Sequence, residues 1–404
     1  MTSNALEGLK IADFTWAAVG PITTKYLADF GATVVKIETS KRLDVMRMVP
    51  PFMEKKPGIN RSAYFAFFNA NKYSLALDLG KPGGIDVAKS LVSWADVVVE
   101  NFTPGIMEKW GLGYDELRKI KPDIIMLRNS NQGQTGPSAR HPGTGLQLVG
   151  LSGFTNLTGW PDRDPVQPWG GYTDLTAVRL GVLSLVGALF HRKRTGKGQC
   201  IDMSQLETGV HFLTPALLDY NVNQKINKRA GNSNPDAAPH NVYRCKGDDR
   251  WCVITILSDQ EWESFGRVFP ELEWTKESRF ESFEGRKRYE QELDKLIEAW
   301  TIKQTPKEVM NLLQGAGIRA GMVQDAKDLY FDPQLKQDNI FWPIKHKEMG
   351  MVSHLGQPIH LSKCNVKARL PAPCLGEHTE MVCKEILGMP DEEFEDLSKM
   401  GIFS

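Results

Sequence analysis

One carboxylate stands in a setting where it could do chemistry. Asp174 follows Gly170-Gly171-Tyr172-Thr173 and precedes a strongly apolar run. Glycines permit backbone conformations closed to other residues and let a ligand come close to the chain. Leu175, Val178, Val182, Leu183, Val186, Leu189 and Phe190 recur at helical spacing, which predicts a helix starting near Thr173. A carboxylate in the first turn of that helix lies at the positive end of its dipole and stays ionised. Two roles fit it: an ordinary first-turn acid, or a nucleophile that forms covalent intermediates. Spacing alone does not choose between them.

The elements that must position Asp174 read as a parallel α/β sheet. Apolar runs at 9–14, 33–38, 74–79, 96–100 and 123–127 predict buried strands, with helices between them, one of them opened by Pro21 and closed by Gly31. The loops after Phe14, Glu38, Leu79, Glu100 and Arg128 then share one rim, the usual ligand crevice of such sheets. Lys36, Arg42, Lys72, Lys81 and Lys109 are spread around these loops as candidates for phosphate contacts, although most lysines are simply solvated. Glu38 closes the second strand, where a dinucleotide fold often keeps its ribose-binding acid. The turn after the first strand has no GxGxxG, so NAD binding is rejected while the Rossmann-like fold is kept.

Residues 129–172 are dense in Gly, Ser, Asn and Pro. A loop-rich stretch of this length is usually functional, and its backbone N–H groups suit an oxyanion. A strand at 199–203 and a helix from Gln205 to about Tyr220 follow. Residues 221–241 read as a linker, and 242–324 as a small α+β domain opening with a hairpin at Gly247-Asp248-Asp249. Residues 325–404 are mixed, with two helical patterns at the end.

The 404 residues suggest two domains. Equal numbers of basic and acidic residues, 49 each, give no electrostatic reason to expect nucleic acid. The apolar run at 180–190 is about half a membrane span, and no secretion signal opens the chain, so no membrane partner and a cytoplasmic location are expected. The six cysteines form no CxxC pair, so no metal site is expected.

Several short segments, in this order, carry a resemblance. They are Asp13-Phe-Thr with Gly20-Pro21, Gly31-Ala-Thr-Val-Val-Lys-Ile-Glu38, Asn71-Lys72 with Leu77-Asp-Leu79, and Glu100-Asn-Phe with Pro104-Gly105. Gly133-Gln-Thr-Gly-Pro137, Tyr172-Thr-Asp174, Thr195-Gly-Lys-Gly-Gln199 and Leu375-Gly-Glu-His-Thr379 complete the set. Together they resemble the class III CoA-transferases, the group that includes formyl-CoA:oxalate and carnitine CoA-transferases. The resemblance implies a Rossmann-like large domain built from 1–220 and a return segment, 325–404, around the small inserted domain. It also implies two interlocked chains, either a homodimer or a heteromer with a homologous subunit.

The implied chemistry is CoA transfer from an acyl-CoA to a carboxylic acid, with Asp174 as nucleophile and coenzyme A the only cofactor. Carried over by position, the CoA contacts are Ala18, Val19, Thr39, Leu77, Leu79, Asn101, Phe102 and Lys109. Where relatives can carry Gln and Arg, this chain has Ala18 and Thr39, so Arg42 is expected to take over a phosphate contact. Residues 131–137 also depart from the more usual Gly-Phe-Gly-Gln. Within the family, 169–174 and 211–220 look most like enzymes using succinyl-CoA and (R)-benzylsuccinate, with Trp16, Phe154, Trp169 and Tyr172 as a candidate aromatic pocket. Two rivals remain. A racemase of related fold would need a His-Asp pair where this chain has Thr144 and Gly145. An acyl-CoA-binding support subunit would not need Asp174.

Overall fold

The structure, a computed structural model, describes residues 4–364 and 366–404. Six strands form the main sheet: β1 (Lys10–Asp13), β2 (Thr33–Glu38), β3 (Tyr73–Ala76), β4 (Val97–Glu100), β5 (Ile125–Ser130) and β6 (Cys200–Ser204). All neighbours are parallel, in the order β3-β2-β1-β4-β5-β6. The order reverses between β1 and β4, and ligands of such sheets bind beyond the strand ends at that point.

The strands read as continuous apolar runs because both faces are covered. β4 and β5 are buried from end to end. Successive side chains go to opposite faces: Ala12, Val35, Val98 and Met126 join one core, and Ile11, Val34, Val97 and Ile125 the other. On the second face lie the helices Val19–Asp29 and Tyr172–Thr195, through Ile22, Leu27, Ala177, Val178 and Leu185. On the first lie the helix Pro82–Trp94 and, from the end of the chain, Val382, Cys383 and Ile402.

β3 is an edge strand, and an edge presents unpaired N–H and C=O groups. The 375–379 motif covers it. The His378 N–H donates to the Ser74 carbonyl at 3.1 Å, the Ala76 N–H to Thr379 Oγ1 at 3.0 Å, and the Gly376 N–H to Ser74 Oγ at 3.0 Å. Gly376 has φ +68°, and a Cβ there would stand 2.9 Å from that of Ala76. Only glycine fits both constraints.

The chain forms two compact units. The larger comprises the residues up to Phe154, Gln167–Ile226 and Pro333–Ser404; the smaller comprises Thr155–Val166 and Asn227–Asp332. The smaller unit therefore takes in a piece of the long loop that the pattern leaves within the first 220 residues, and it runs past residue 324. It is α+β: antiparallel β7 (His240–Arg244), β8 (Trp251–Thr255) and β9 (Arg319–Met322), with a core that includes Trp262, Phe265, Leu293 and Ile297. In the larger unit, β10 (Phe341–His346) and β11 (Gly350–Leu355) make a hairpin.

Three elements differ from their patterns. β5 runs on to Ser130, because pairing with β6 continues through Asn129↔Met203 and Ser130↔Ser204 after the apolar run has ended. The helix expected over 205–220 breaks at Leu213 into Gln205–Phe212 and Thr214–Asn223, since Pro215 has no N–H to continue the ladder. The helix bearing Asp174 is 24 residues long, so the half-span counted from the sequence is an underestimate. Among the described residues it is the one helix long and apolar enough to cross a bilayer, and Ala177, Val178, Leu185 and Ala188 on it belong to the sheet core.

Candidate active site

The two loops flanking the reversal point are tied together. Asn101 Oδ1 accepts from the Trp16 N–H at 2.9 Å, and Asn101 Nδ2 donates to the Trp16 carbonyl at 2.7 Å. The next residue, Ala17, takes φ 61°, a conformation non-glycine residues rarely adopt. Asp44 Oδ1 holds it there by accepting from the Ala17 N–H at 3.0 Å.

Beneath this loop lies a fully buried set of paired charges. Lys72 Nζ is 3.0 Å from Asp13 Oδ2, Lys36 Nζ is 3.3 Å from Asp44 Oδ2, and Arg47 bridges Glu38 at 2.9 and 2.7 Å. Burial pushes the Asp13 carboxyl up, but Lys72, Lys36 and the hydroxyls of Thr15 and Thr24 bring it down to about 2. These contacts correct the expectation that Lys36 and Lys72 are free for phosphate. Both are wholly buried, and Lys81 is likewise occupied by the carbonyls of Met400 and Gly401. Glu38 is taken up by Arg47 and Ser74.

Two cavities open above this layer. One, about 450 Å³, is lined by Thr39, Arg42, Leu77, Leu79, Phe102 and Lys109, among others. The second, about 370 Å³, is lined by Ala18, Val19, Asn101, Phe102 and Asp174. Trp16, Phe102 and Thr103 line both, so the cavities adjoin. The CoA contacts carried over by position, and Arg42, thus each line one cavity or the other, whereas Lys36, Lys72 and Lys81 line neither. Arg42 stacks its guanidinium 5.1 Å from the Trp16 ring centre, and Thr39 donates its hydroxyl to the Ser404 carbonyl at 2.7 Å.

Asp174 sits in the first turn of its helix. Its Oδ1 accepts a short hydrogen bond from Gln205 Nε2, which also donates to Thr173 Oγ1 at 3.2 Å. Its Oδ2 lies over two glycines: a Cβ on Gly145 would be 2.2 Å from it, and one on Gly171 2.3 Å. Any side chain at 145 or 171 would displace the carboxylate. Burial pushes the Asp174 carboxyl above its ordinary value, against the Gln205 hydrogen bond that favours the charged form. Thr144, where a racemase would place a base, instead caps the helix Gly145–Leu151 through Gln147.

Gln205, Asn129, Ser130 and His141 also line the second cavity, and none was singled out from the sequence. The signal for Gln205 was available, since it opens the helix after β6. The aromatic pocket does not assemble. Trp16 lines the cavities, but Phe154 and Tyr172 pair with each other at 5.0 Å outside their linings, and Trp169 is 86% exposed.

The model of CoA-transferase family III matches residues 6–379. The chain belongs to CoA-transferase family III. Among its relatives, it is 31% identical to the succinyl-CoA:glutarate CoA-transferase of Mus musculus, over 98% of this chain and 90% of that one. It is 30% identical to the succinyl-CoA–D-citramalate CoA-transferase of Chloroflexus aurantiacus, over 96% and 95%. A crystal structure of a CAIB/BAIF family protein from Brucella suis superposes with a TM-score of 0.87 at 30% identity, covering 95% of this chain and all of that one. The chain is accordingly a class III CoA-transferase, for which CoA is a substrate.

Proposed function

We propose that this CoA-transferase moves CoA from succinyl-CoA to a dicarboxylic acid, with Asp174 as nucleophile. The observation that carries the reading is the state of the Asp174 carboxylate: one oxygen is oriented by Gln205, and the other faces glycines inside a cavity. Oδ2 attacks the thioester carbonyl, and the CoA thiolate leaves, giving a mixed anhydride. The thiolate then attacks the Asp174 carbonyl, the donor acid departs, and an aspartyl-CoA thioester remains. The acceptor carboxylate attacks that thioester, and the released thiolate takes the acceptor acyl group. Asp174 returns as a free carboxylate. An anhydride is as activated as a thioester, so no step falls into an energy well.

CoA would lie across both cavities, its pantetheine arm passing Trp16 and Phe102 and its phosphates meeting Arg42 and Lys109. The succinyl donor is supported by the relatives named above. (R)-benzylsuccinate belongs in the acceptor panel, although Trp16 is the one member of the expected aromatic pocket that lines the acyl cavity. The interlocked pairing with a second copy or a homologous chain is part of the proposal. It is supported by the apolar side chains exposed on Tyr172–Thr195 (Leu183, Val186, Phe190) and on Thr214–Asn223 (Leu217, Leu218, Val222).

The test mixes succinyl-CoA with a panel of acids and reads the CoA products by mass spectrometry. Aspartyl-CoA is trapped at residue 174 in the same run. Asp174→Ala should lower transfer by on the order of 10⁴-fold or more, as removal of a nucleophile does. Retained activity in that variant would refute the assignment.

A further inference from the structure

A third cavity, about 500 Å³, borders the one that holds Asp174. Pro104 and Ala139 line both, so the two adjoin. One wall of it is the segment 134–140, part of the Gly-Gln-Thr-Gly-Pro stretch to which the proposed chemistry gives no role. That wall is pinned to β6: the Gln134 N–H donates to both carboxylate oxygens of Asp202, at 3.1 Å each. Thr135, Gly136, Pro137 and Arg140 are exposed, so the cavity meets solvent on this side.

Three charged side chains line it, Glu108, Arg128 and Arg140. Two are committed to each other. Arg128 donates to the two Glu108 carboxylate oxygens at 2.6 and 3.1 Å, and its Nε donates to Glu100 at 2.8 Å. Arg140 makes no hydrogen bond or ion pair among the described residues. Its guanidinium lies over the cavity wall: Nη2 would be 4.0 Å from a Cβ on Gly105, another lining residue.

In the proposed reaction the donor acid leaves and the acceptor acid arrives while CoA stays bonded to Asp174. CoA then occupies the cavity of Thr39, Arg42 and Lys109 and the passage beside Trp16 and Phe102, so the acids need another path. The third cavity reaches that of Asp174 without crossing this one, since it shares no lining residue with the cavity of Thr39 and Lys109. The travelling acids are anions, and no lysine or arginine lines the cavity of Asp174. Arg140 is the unpaired cation outside it. An exposed guanidinium holds a small anion weakly, but its field raises the rate of encounter.

We propose that the third cavity is the access route of the free acids, separate from the path of CoA, and that Arg140 draws the acid anions into it. This rests on the CoA-transfer reading with Asp174 as nucleophile and adds where the second substrate comes in.

The experiment follows exchange of isotopically labelled succinate into succinyl-CoA, so that one acid is both leaving group and acceptor. It compares wild type, Arg140→Gln, Arg140→Glu and Arg42→Ala at low and high salt. Aspartyl-CoA at residue 174 is trapped from succinyl-CoA alone in each. Arg140→Gln should raise KM for succinate about fivefold and Arg140→Glu about twentyfold, with kcat and the KM for succinyl-CoA within about twofold of wild type. Added salt should shrink both differences, as it screens an exposed charge. Arg42→Ala should show the reverse split, raising KM for succinyl-CoA and sparing that for succinate. A wild-type KM for succinate in Arg140→Glu would overturn the route. So would a rise in KM for succinyl-CoA in the Arg140 variants, which would place Arg140 at the CoA phosphates. A wild type that exchanges no label and traps no aspartyl-CoA would remove the nucleophile reading and the route together.

Discussion

The layer under the β1 loop and the cavity around Asp174 are neighbours in the same crevice, yet they treat polar groups in opposite ways. Below the loop, each of six buried ions, Asp13, Lys72, Lys36, Asp44, Glu38 and Arg47, has a partner of opposite charge. Around Asp174, among the described residues, the carboxylate has one side-chain hydrogen-bond partner, Gln205, and the side chains of Asn129 and Ser130 have none. Paired charges hold a loop in a strained conformation and leave nothing to offer a substrate. Groups left single are costly to the fold and free for chemistry. Burial alone therefore does not mark a functional group.

Breaking a pair in the lower layer should have the largest effect on stability. Lys72→Met leaves Asp13 buried without its nearest cation, and removing one partner of a buried pair costs about 3–5 kcal/mol. Urea denaturation should show this loss at neutral pH. The gap to wild type should narrow in acid, where the stranded Asp13 takes up a proton. An unchanged midpoint would mean that the lower layer is not structural.

Gln205→Leu sharpens the contrast from the other side. The Asp174 carboxyl is already raised by burial above the ordinary 3.8, and the Gln205 hydrogen bond is what opposes that rise. A nucleophile must be ionised, so activity falls as pH drops through the raised value. Without Gln205 the carboxyl rises further, and the acid limb of kcat/KM moves to higher pH. At neutral pH, kcat should fall about tenfold, the size of one hydrogen bond to a charged group. A pH profile superimposable on that of wild type would show that Gln205 does not tune Asp174.

The smallest effect is expected at the rim. Arg42→Ala should raise KM for the CoA ester roughly three- to tenfold with little change in kcat, and the difference should shrink with added salt, as exposed charge contacts do. A change in kcat instead would put Arg42 in the chemistry.

The sheet was legible because its strands, buried on both faces, are written as unbroken apolar runs. Asp174 was legible because two glycines and an apolar helix frame it, and the family resemblance turned a common first-turn acid into a candidate nucleophile. Lys36 and Lys72 were misread because sequence does not show that a lysine in or beside a strand points inward to a buried carboxylate, Asp44 for Lys36 and Asp13 for Lys72. Asn129 and Ser130 were missed for a related reason. Polar residues after an apolar run look like loop, whereas ladder pairing to β6 carries the strand through them. Trp169 was grouped with Trp16 by residue type, and in the described chain it stands in the open.

The tail segment that seals β3 has a consequence for synthesis. The first six strands leave the ribosome long before residues 376–379 do, and until those arrive one border of the sheet has no cover. A nascent or truncated chain would carry that open border into a crowded cell, where strands from other chains can add to it. Residues 376–379 thus act as a late-arriving seal, and a stop codon upstream of them would yield aggregates rather than a slower enzyme.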